Sequence, residues 1–274
     1  MSETVVRYEA IAASNESTVV AEYTPDPQRV RETGYQSEAQ LETALIEQLK
    51  TQAYEYLDIT SGSDLVANLR RQLEALNAIA FSNEEWRRLF DECIAGANDG
   101  IIEKTARIQE DHIQILKRDD GTTKNIYLIN KKNIHNNRLQ VINQYEAGDE
   151  AGGSRAGRYD VTVLVNGLPM VHVELKRRGV DIREAFNQIN RYHRDSFWNG
   201  SGLFEYVQLF VISNGTLTKY YSNTVRDGHI AESKGTHKKK HTSNSYSFTS
   251  WWADAQNQAI TELAGFTKTF FAKH

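Results

Sequence analysis

Two carboxylates and one amine interrupt an otherwise apolar pair of predicted strands. Asp160 precedes a Val-rich run, and Glu174 and Lys176 lie two residues apart at the end of the next run. Charged side chains are rarely fully buried unless they are paired or bind a metal. Carboxylate oxygens gathered at one place suit a hard cation such as Mg²⁺ or Mn²⁺, and a neighbouring ammonium can orient a water molecule or a phosphate.

The same residues are also consistent with a cross-strand ion pair on a solvated sheet face, which would stabilise the fold only weakly. Glu174 and Lys176 project from one face because they lie two apart on a strand. Asp160 shares that face if the hairpin has a three-residue loop, or a turn at Asn166-Gly167 closed by a Gly bulge. A strict two-residue turn would place Asp160 opposite Val173 and direct its side chain to the other face.

Three helices are predicted before these strands, each with apolar residues spaced three or four apart. The first begins after Ser37, the second covers residues 65–77, and the third begins after Ser82. The first and third begin at capping boxes, because Gln and Glu follow the two serines at the third position. A two-residue period then begins, with short strand-like runs at residues 125–130 and 139–144.

The candidate chemistry lies in a hairpin that is followed by a helix and a buried strand. The hairpin strands are predicted at residues 158–165 and 170–176, and the helix begins at Asp181 and runs to about Ser196. Residues 206–212 are nearly all apolar, which is typical of the middle of a sheet. Further signals predict a strand at 218–221 and a helix across 249–271. The order predicts an α/β fold with a mixed central β-sheet flanked by helices.

Composition and charge limit the class of protein. The chain has 274 residues, of which 39% are hydrophobic and 25% charged, as in an average globular protein. Its 32 basic and 36 acidic residues give a net charge of −4, which excludes a basic nucleic-acid coat. No apolar run is long enough to cross a bilayer, no secretory signal opens the chain, and the lone Cys93 cannot form an internal disulfide. A soluble cytoplasmic protein without a membrane partner is expected.

Charge and composition vary along the chain. Residues 155–194 contain eight basic and four acidic residues, a surplus that attracts phosphate-bearing partners, although an ordinary solvated surface has the same composition. We expect residues 1–35 to form an N-terminal arm and residues 36–274 to form a single domain. Residues 225–247 contain a Lys- and His-rich run among Ser, Thr, Asn and Gly, and they are interpreted as a mobile surface loop.

The segment from Asp160 to Tyr192 resembles the PD-(D/E)XK nuclease signature. Asp160 is followed by Glu174-Leu-Lys176, and Gln188 and Tyr192 resemble the Q-x-x-x-Y element of the restriction subunits of type I restriction–modification enzymes. The resemblance covers most of residues 36–222 and is greatest to the N-terminal endonuclease domain of R (HsdR) subunits. The signature departs at one position, because Tyr159 stands where the motif often has proline.

The resemblance implies a Mg²⁺-dependent DNA endonuclease, with Mn²⁺ as a possible substitute ion. Asp160, Glu174 and the Leu175 carbonyl would hold the metal, and Lys176 would position the attacking water. His172 lies two residues before Glu174 on the same strand face, which allows a position near the site, but it is interpreted as a half-buried strand residue. The remaining residues that the resemblance implies are Glu38, or else Glu42, as a further metal ligand, Gln188 and Tyr192 to bind backbone phosphate or hold the lysine, and Arg177 and Arg178 to contact phosphates.

The same resemblance implies partners. These are double-stranded DNA and the methyltransferase (M) and specificity (S) subunits of the system. R subunits also carry ATPase motor domains with a G-x-x-x-x-G-K-[ST] loop, and this chain has no such loop. We therefore expect no ATP-binding residues here, an ATP requirement only through the motor, and a fragment that holds the nuclease without it. The alternatives are a stand-alone nuclease of the same superfamily, acting on modified DNA or in repair, and a non-catalytic docking module.

Overall fold

A mixed sheet of six strands lies at the centre of the structure, a computed structural model that describes residues 9–13, 18–21, 34–147, 157–195, 202–223 and 248–272. In chain order the strands are β1 (Glu9–Ala13), β2 (Thr18–Ala21), β3 (Glu55–Tyr56), β4 (Ile113–Lys117), β5 (Thr123–Tyr127), β6 (Leu139–Ala147), β7 (Gly157–Val165), β8 (Leu168–Leu175), β9 (Leu209–Ser213) and β10 (Thr218–Ser222). The central sheet has the order β10-β9-β8-β7-β6-β3, in which β8–β9 and β3–β6 are parallel and the other pairs antiparallel.

Helices cover both faces of this sheet. They are α1 (Glu38–Thr51), α2 (Gly62–Asn77), α3 (Asn83–Arg88), α4 (Ile101–Gln109), α5 (Arg183–Asp195) and α6 (Leu263–Phe270), with a π-helical turn at Leu89–Ile94 and 3₁₀ turns at Ile134–Asn136 and Leu203–Tyr206. Helices α1 and α6 pack on one face, against alternate valines of β7, β8 and β9. Helices α2 and α5 and the β4–β5 ribbon pack on the other face. The predicted α/β class with a mixed, helix-flanked sheet is confirmed.

The local helix signals are confirmed at the residues that predicted them. Ser37 caps α1 and Ser82 caps α3, and both form complete capping boxes with the third helical residue. Such a box satisfies backbone N–H groups that have no partner within the helix. The strand predicted at 218–221 is β10, and the apolar strand predicted at 206–212 begins later, at Leu209, after a 3₁₀ turn.

Several sequence predictions are wrong in extent. The helix expected across 249–271 is helical only in α6, because Asp254 closes a turn by accepting hydrogen bonds from the backbone N–H of Gln256 and Gln258. The strand predicted at 125–130 is β5, which ends at Tyr127 and pairs with β4 in a separate two-stranded sheet. Strand β4, helix α4 and the short β3 were not predicted.

Of the two chain segments expected to lie outside the domain core, the structure describes only part of the first. Strands β1 and β2 form an antiparallel pair within the expected N-terminal arm. The loop expected at 225–247 lies outside the described residues. Within the described ranges, no helix is both long enough and apolar enough to cross a membrane.

Candidate active site

The β7–β8 hairpin brings Asp160 opposite Glu174 in a way that the sequence did not anticipate. Its loop is the strict two-residue turn Asn166-Gly167, with φ angles of 51° and 85°. An extra residue in β8, Met170, then forms a bulge that shifts the register by one, so that Val161 pairs with Val173. Continuing this register by one residue places Asp160 opposite Glu174. The required bulge exists, but it lies beyond the turn rather than within it.

Asp160, Glu174 and Lys176 meet where β7 and β8 stop pairing. The Leu175 backbone N–H donates to Oδ2 of Asp160 at 2.8 Å. The Lys176 ammonium donates to Oε1 of Glu174 at 3.2 Å and to the Leu175 carbonyl at 2.9 Å. The Lys176 backbone N–H donates to the Ser213 carbonyl of β9, which fixes the lysine at the end of β8. The structure therefore gathers two carboxylates, a carbonyl oxygen and an ammonium.

The two carboxyl groups are in an environment that disfavours their ionised forms. Burial raises the pKa of Glu174 to about 8, although Lys176 acts in the opposite direction. Burial and the nearby charge of Glu174 raise the pKa of Asp160 to about 7, against the hydrogen bond from Leu175. One ammonium does not compensate two buried carboxylates, so added positive charge at this place would be favourable.

His172 lies behind Glu174 on β8. Its Nε2 is 3.3 Å from Oε2 of Glu174, and both side chains are fully buried. Burial lowers the pKa of His172 to about 4, so the ring is neutral at pH 7 and its contact with Glu174 is a hydrogen bond rather than an ion pair. The interpretation of His172 as a half-buried strand residue was wrong. The sequence feature that indicates this contact is the two-residue spacing of His172 and Glu174, which places both side chains on one face of the strand.

The two acids proposed from α1 have different surroundings. Glu38, in the first turn, has Oε1 at 3.8 Å from the Lys176 ammonium and accepts a hydrogen bond from the Arg177 backbone N–H. Glu42 is buried and accepts hydrogen bonds from the side-chain amides of Asn143 and Gln144. Glu38 is thus the acid beside the site, whereas Glu42 joins α1 to β6.

The oxygen donors around the lysine do not form a larger acidic cluster. In the part of the chain that the structure describes, no group of three or more His, Cys, Asp or Glu residues is arranged to hold a metal ion. The donors that face one another are the carboxylates of Asp160 and Glu174, with the Leu175 carbonyl beside them. Hard oxygen donors of this kind suit Mg²⁺, which is often bound by one or two carboxylates and completes its shell with water and substrate phosphate.

Gln188 and Tyr192 lie one turn apart on α5 and contact strand β7. The Tyr192 hydroxyl donates to the Arg158 carbonyl at 2.6 Å, and the Gln188 amide donates to the same hydroxyl oxygen. This contact fixes β7 two residues before Asp160. The pair therefore positions β7, the strand that carries Asp160. Lys176, which the pair was expected to hold, instead bonds Glu174 and the Leu175 carbonyl.

The two arginines after β8 differ in their contacts. Arg177 has an exposed side chain. The Arg178 guanidinium donates to Thr216 and to Gln36, both at 2.9 Å, and so ties the start of α1 to the β9–β10 turn. Of the two side chains expected to contact phosphates, only that of Arg177 projects into solvent.

Comparison with known proteins gives one consistent family. Residues 35–229 match the family described as "Type I restriction enzyme R protein N terminus". The Type I restriction enzyme EcoprrI endonuclease subunit of Escherichia coli is 46% identical over 265 residues, which cover 96% of this chain and 78% of that protein. The Type I restriction enzyme SsaAORF53P endonuclease subunit of Staphylococcus saprophyticus is 39% identical over 241 residues, which cover 86% of this chain and 23% of that protein. A Staphylococcus aureus relative, the SauMSSORF170P endonuclease subunit, is 37% identical with the same coverage. This chain thus spans most of the first relative and about a quarter of the other two.

Proposed function

This chain belongs to the family of type I restriction enzyme R protein N-terminal regions, and from this premise we propose that it is a Mg²⁺-dependent endonuclease domain that hydrolyses phosphodiester bonds of double-stranded DNA. The observation that carries the proposal is the meeting of Asp160, Glu174 and Lys176 at the end of β7 and β8. Its relatives are named endonuclease subunits, which favours a subunit over the stand-alone nuclease.

The donor set fits a hard divalent cation. Asp160, Glu174 and the Leu175 carbonyl would hold the ion, because all three supply oxygen and both carboxyl groups have a raised pKa that a nearby positive charge would lower. When bound, the cation supplies charge stabilisation at the scissile phosphate. Soft ligands are absent from this set, so Mg²⁺ or Mn²⁺ is favoured over Zn²⁺.

Lys176 has the position of a group that acts on water or phosphate. Its ammonium carries three donors, and it is held by Glu174 and Leu175 with Glu38 close by. A donor fixed in this way can orient the attacking water and stabilise the negative charge that develops on the phosphate. Glu38 is half exposed, with 47% of its side-chain surface accessible, and it balances the lysine charge from the solvent side.

The same proposal includes the other components of the system. We propose that the chain works in the cytoplasm with M and S subunits, and that ATP-driven motor domains of the R subunit bring DNA to the nuclease. The names of the relatives support a multi-subunit enzyme, since each is called a subunit of a type I restriction enzyme.

The decisive experiment substitutes Lys176 in the R subunit and assembles it with the M and S subunits. Lys176→Met should abolish plasmid cleavage while assembly and ATP hydrolysis are retained. The control is Lys268→Met, which removes an equally charged but exposed lysine on α6 and should cleave normally.

Three other results would each contradict the proposal in a different way. Undiminished cleavage by Lys176→Met would contradict the proposed site. Loss of assembly in a folded Lys176→Met protein would indicate a docking module. Robust sequence-specific cleavage by residues 1–274 with Mg²⁺ and no ATP would indicate a stand-alone nuclease.

A further inference from the structure

A second region of exposed cations lies away from the candidate active site, in residues 130–138, here called the asparagine loop. This segment contains four asparagines and no acidic residue, and its basic side chains are Lys131, Lys132 and Arg138, with His135 among them. All four of these side chains are exposed. The family match over residues 35–229 includes this segment, but nothing in the proposed nuclease chemistry uses it.

The loop is held in one shape by two buried asparagines. Asn137 exchanges hydrogen bonds with the backbone of Asn130 at 2.8 and 2.9 Å and also donates to the Ile134 carbonyl. Asn166, at the β7–β8 turn, donates to Asn137 at 2.8 Å and accepts from the Arg138 backbone N–H at 2.8 Å. Asn137 and Asn166 are 6% and 1% exposed. Because the backbone is already ordered, a ligand that binds the cations does not have to pay for ordering it.

The cations of the asparagine loop lack the acidic neighbours found elsewhere on the surface. Several arginines of the helices and of the β4–β5 turn are in ion pairs, as in Arg88–Asp119, Arg107–Asp99 and Arg118–Glu85. No ion pair within the described ranges includes a residue of the asparagine loop. The Lys131 ammonium donates to the Gln109 carbonyl, a neutral partner, so its charge is not compensated. The loop is therefore a positive patch on a chain whose net charge is −4.

The hairpin links this patch to the candidate active site. The loop is anchored at Asn166, the turn residue that follows β7, whereas Asp160 lies within β7, six residues earlier in the chain. Six residues of strand span about 20 Å. That distance corresponds to about six base pairs of duplex DNA. One strand thus fixes the spacing between the patch and the carboxylates.

We propose that the asparagine loop binds the phosphate backbone of double-stranded DNA and so anchors a duplex about 20 Å from the cleavage site. The inference rests on the proposed function, because DNA is the polyanion on which such a nuclease acts. Lysine and arginine supply charge to phosphates, and asparagine side chains and backbone N–H groups add neutral donors of the kind found at phosphate contacts. Phosphate contacts carry no sequence information, so the proposed contact is independent of sequence.

The test measures DNA binding in EDTA, where no metal-dependent cleavage occurs. The titration uses a short fluorescent duplex without a recognition sequence and the chain carrying Lys132→Gln and Arg138→Gln together. The matched control is Arg71→Gln with Lys268→Gln, which removes the same charge from exposed positions on α2 and α6. Asn137 and Asn166 stay unchanged in both variants, and thermal melting checks that both are folded.

The loop variant should bind the duplex about tenfold more weakly at low salt, and the slope of log affinity against log salt should fall by about two. The control should change affinity by less than about twofold. Equal weakening in both variants, or none in either, would overturn the inference. Competition by polyglutamate as effective as competition by unlabelled duplex would also overturn it and indicate an acidic protein partner. The loop variant should bind Mg²⁺ as tightly as the wild type in calorimetry, so failure of the proposed nuclease site and failure of the loop contact are distinguishable.

Discussion

The backbone N–H of Leu175 donates a 2.8 Å hydrogen bond to the carboxylate of Asp160. Backbone pairing between β7 and β8 ends at Val161 and Val173, and this side-chain bond continues the connection between the strands. It holds the Asp160 carboxylate next to Glu174 at the place where the sheet opens. A bulge and one side-chain hydrogen bond thus set the spacing of the two carboxylates.

The raised pKa values of Asp160 and Glu174 predict how the metal-free protein responds to pH. Both pKa values are higher in the folded chain, at about 7 and about 8, so between about pH 4 and those values the folded state binds more protons than the unfolded state. Stability should therefore fall as pH rises from about 4 to 8 in EDTA and level off above that, by on the order of 1 kcal/mol for each unit of pKa shift. Thermal melting across this range measures the effect.

Neutral isosteres test the same prediction. The double variant Asp160→Asn with Glu174→Gln should show a much weaker dependence of its melting temperature on pH. It should also melt at a higher temperature than the wild type at pH 9. Mg²⁺ at high pH should stabilise the wild type and leave the double variant unchanged. A wild-type melting temperature that stays constant from pH 6 to 9 would contradict the assigned burial of these carboxyl groups.

Metal binding should depend on Asp160 and much less on Glu38. Calorimetry should show weak Mg²⁺ binding to the wild type, which Asp160→Ala abolishes. Glu38→Ala should reduce the affinity by less than about tenfold, because Glu38 lies beside the Lys176 ammonium and is half exposed. Loss of binding in Glu38→Ala, with binding retained in Asp160→Ala, would place the metal elsewhere.

His172 should influence the metal through Glu174. His172→Leu removes the hydrogen bond to Oε2 of Glu174 and should weaken Mg²⁺ binding by about 10- to 100-fold, as is typical of groups that orient a metal ligand. His172→Gln keeps a hydrogen-bonding group and should recover part of the affinity. Calorimetry on both variants gives the comparison. Unchanged affinity in a folded Leu variant would show that His172 only fills space.

The hairpin turn gives a prediction about stability. Gly167 has φ of +85°, and a Cβ at this position would be 2.6 Å from the Cα of Leu69 in α2. Gly121 has nearly the same φ, +84°, with nothing within 4 Å of the corresponding point. Gly121→Ala should therefore cost about 1 kcal/mol through backbone strain alone. Gly167→Ala should cost about 1–3 kcal/mol more because of the added clash. Chemical denaturation of both variants measures the difference, and equal costs would refute close packing of the turn on α2.

Local features of the fold were readable from the sequence because their causes are local. The capping boxes at Ser37 and Ser82 need only residues within one turn, and the Asn166-Gly167 turn needs only two residues that tolerate positive φ. The residue types of Asp160, Glu174 and Lys176 predicted that these side chains interact, because charges in an apolar strand require a partner. Strand β4 also had a readable alternation, and its omission was an error of interpretation.

Only the tertiary structure decided how these residues meet. The bulge at Met170 determines which face Asp160 occupies, and a bulge forms where pairing between two strands favours it, not where one residue demands it. The choice of Glu38 over Glu42 depends on which turn of α1 lies beside Lys176, and the burial of His172 depends on helices that pack over the sheet. The sequence by itself determined the chemical groups and the local elements. Their register, burial and distances arise from contacts between residues far apart in the chain, and no local pattern encodes those contacts.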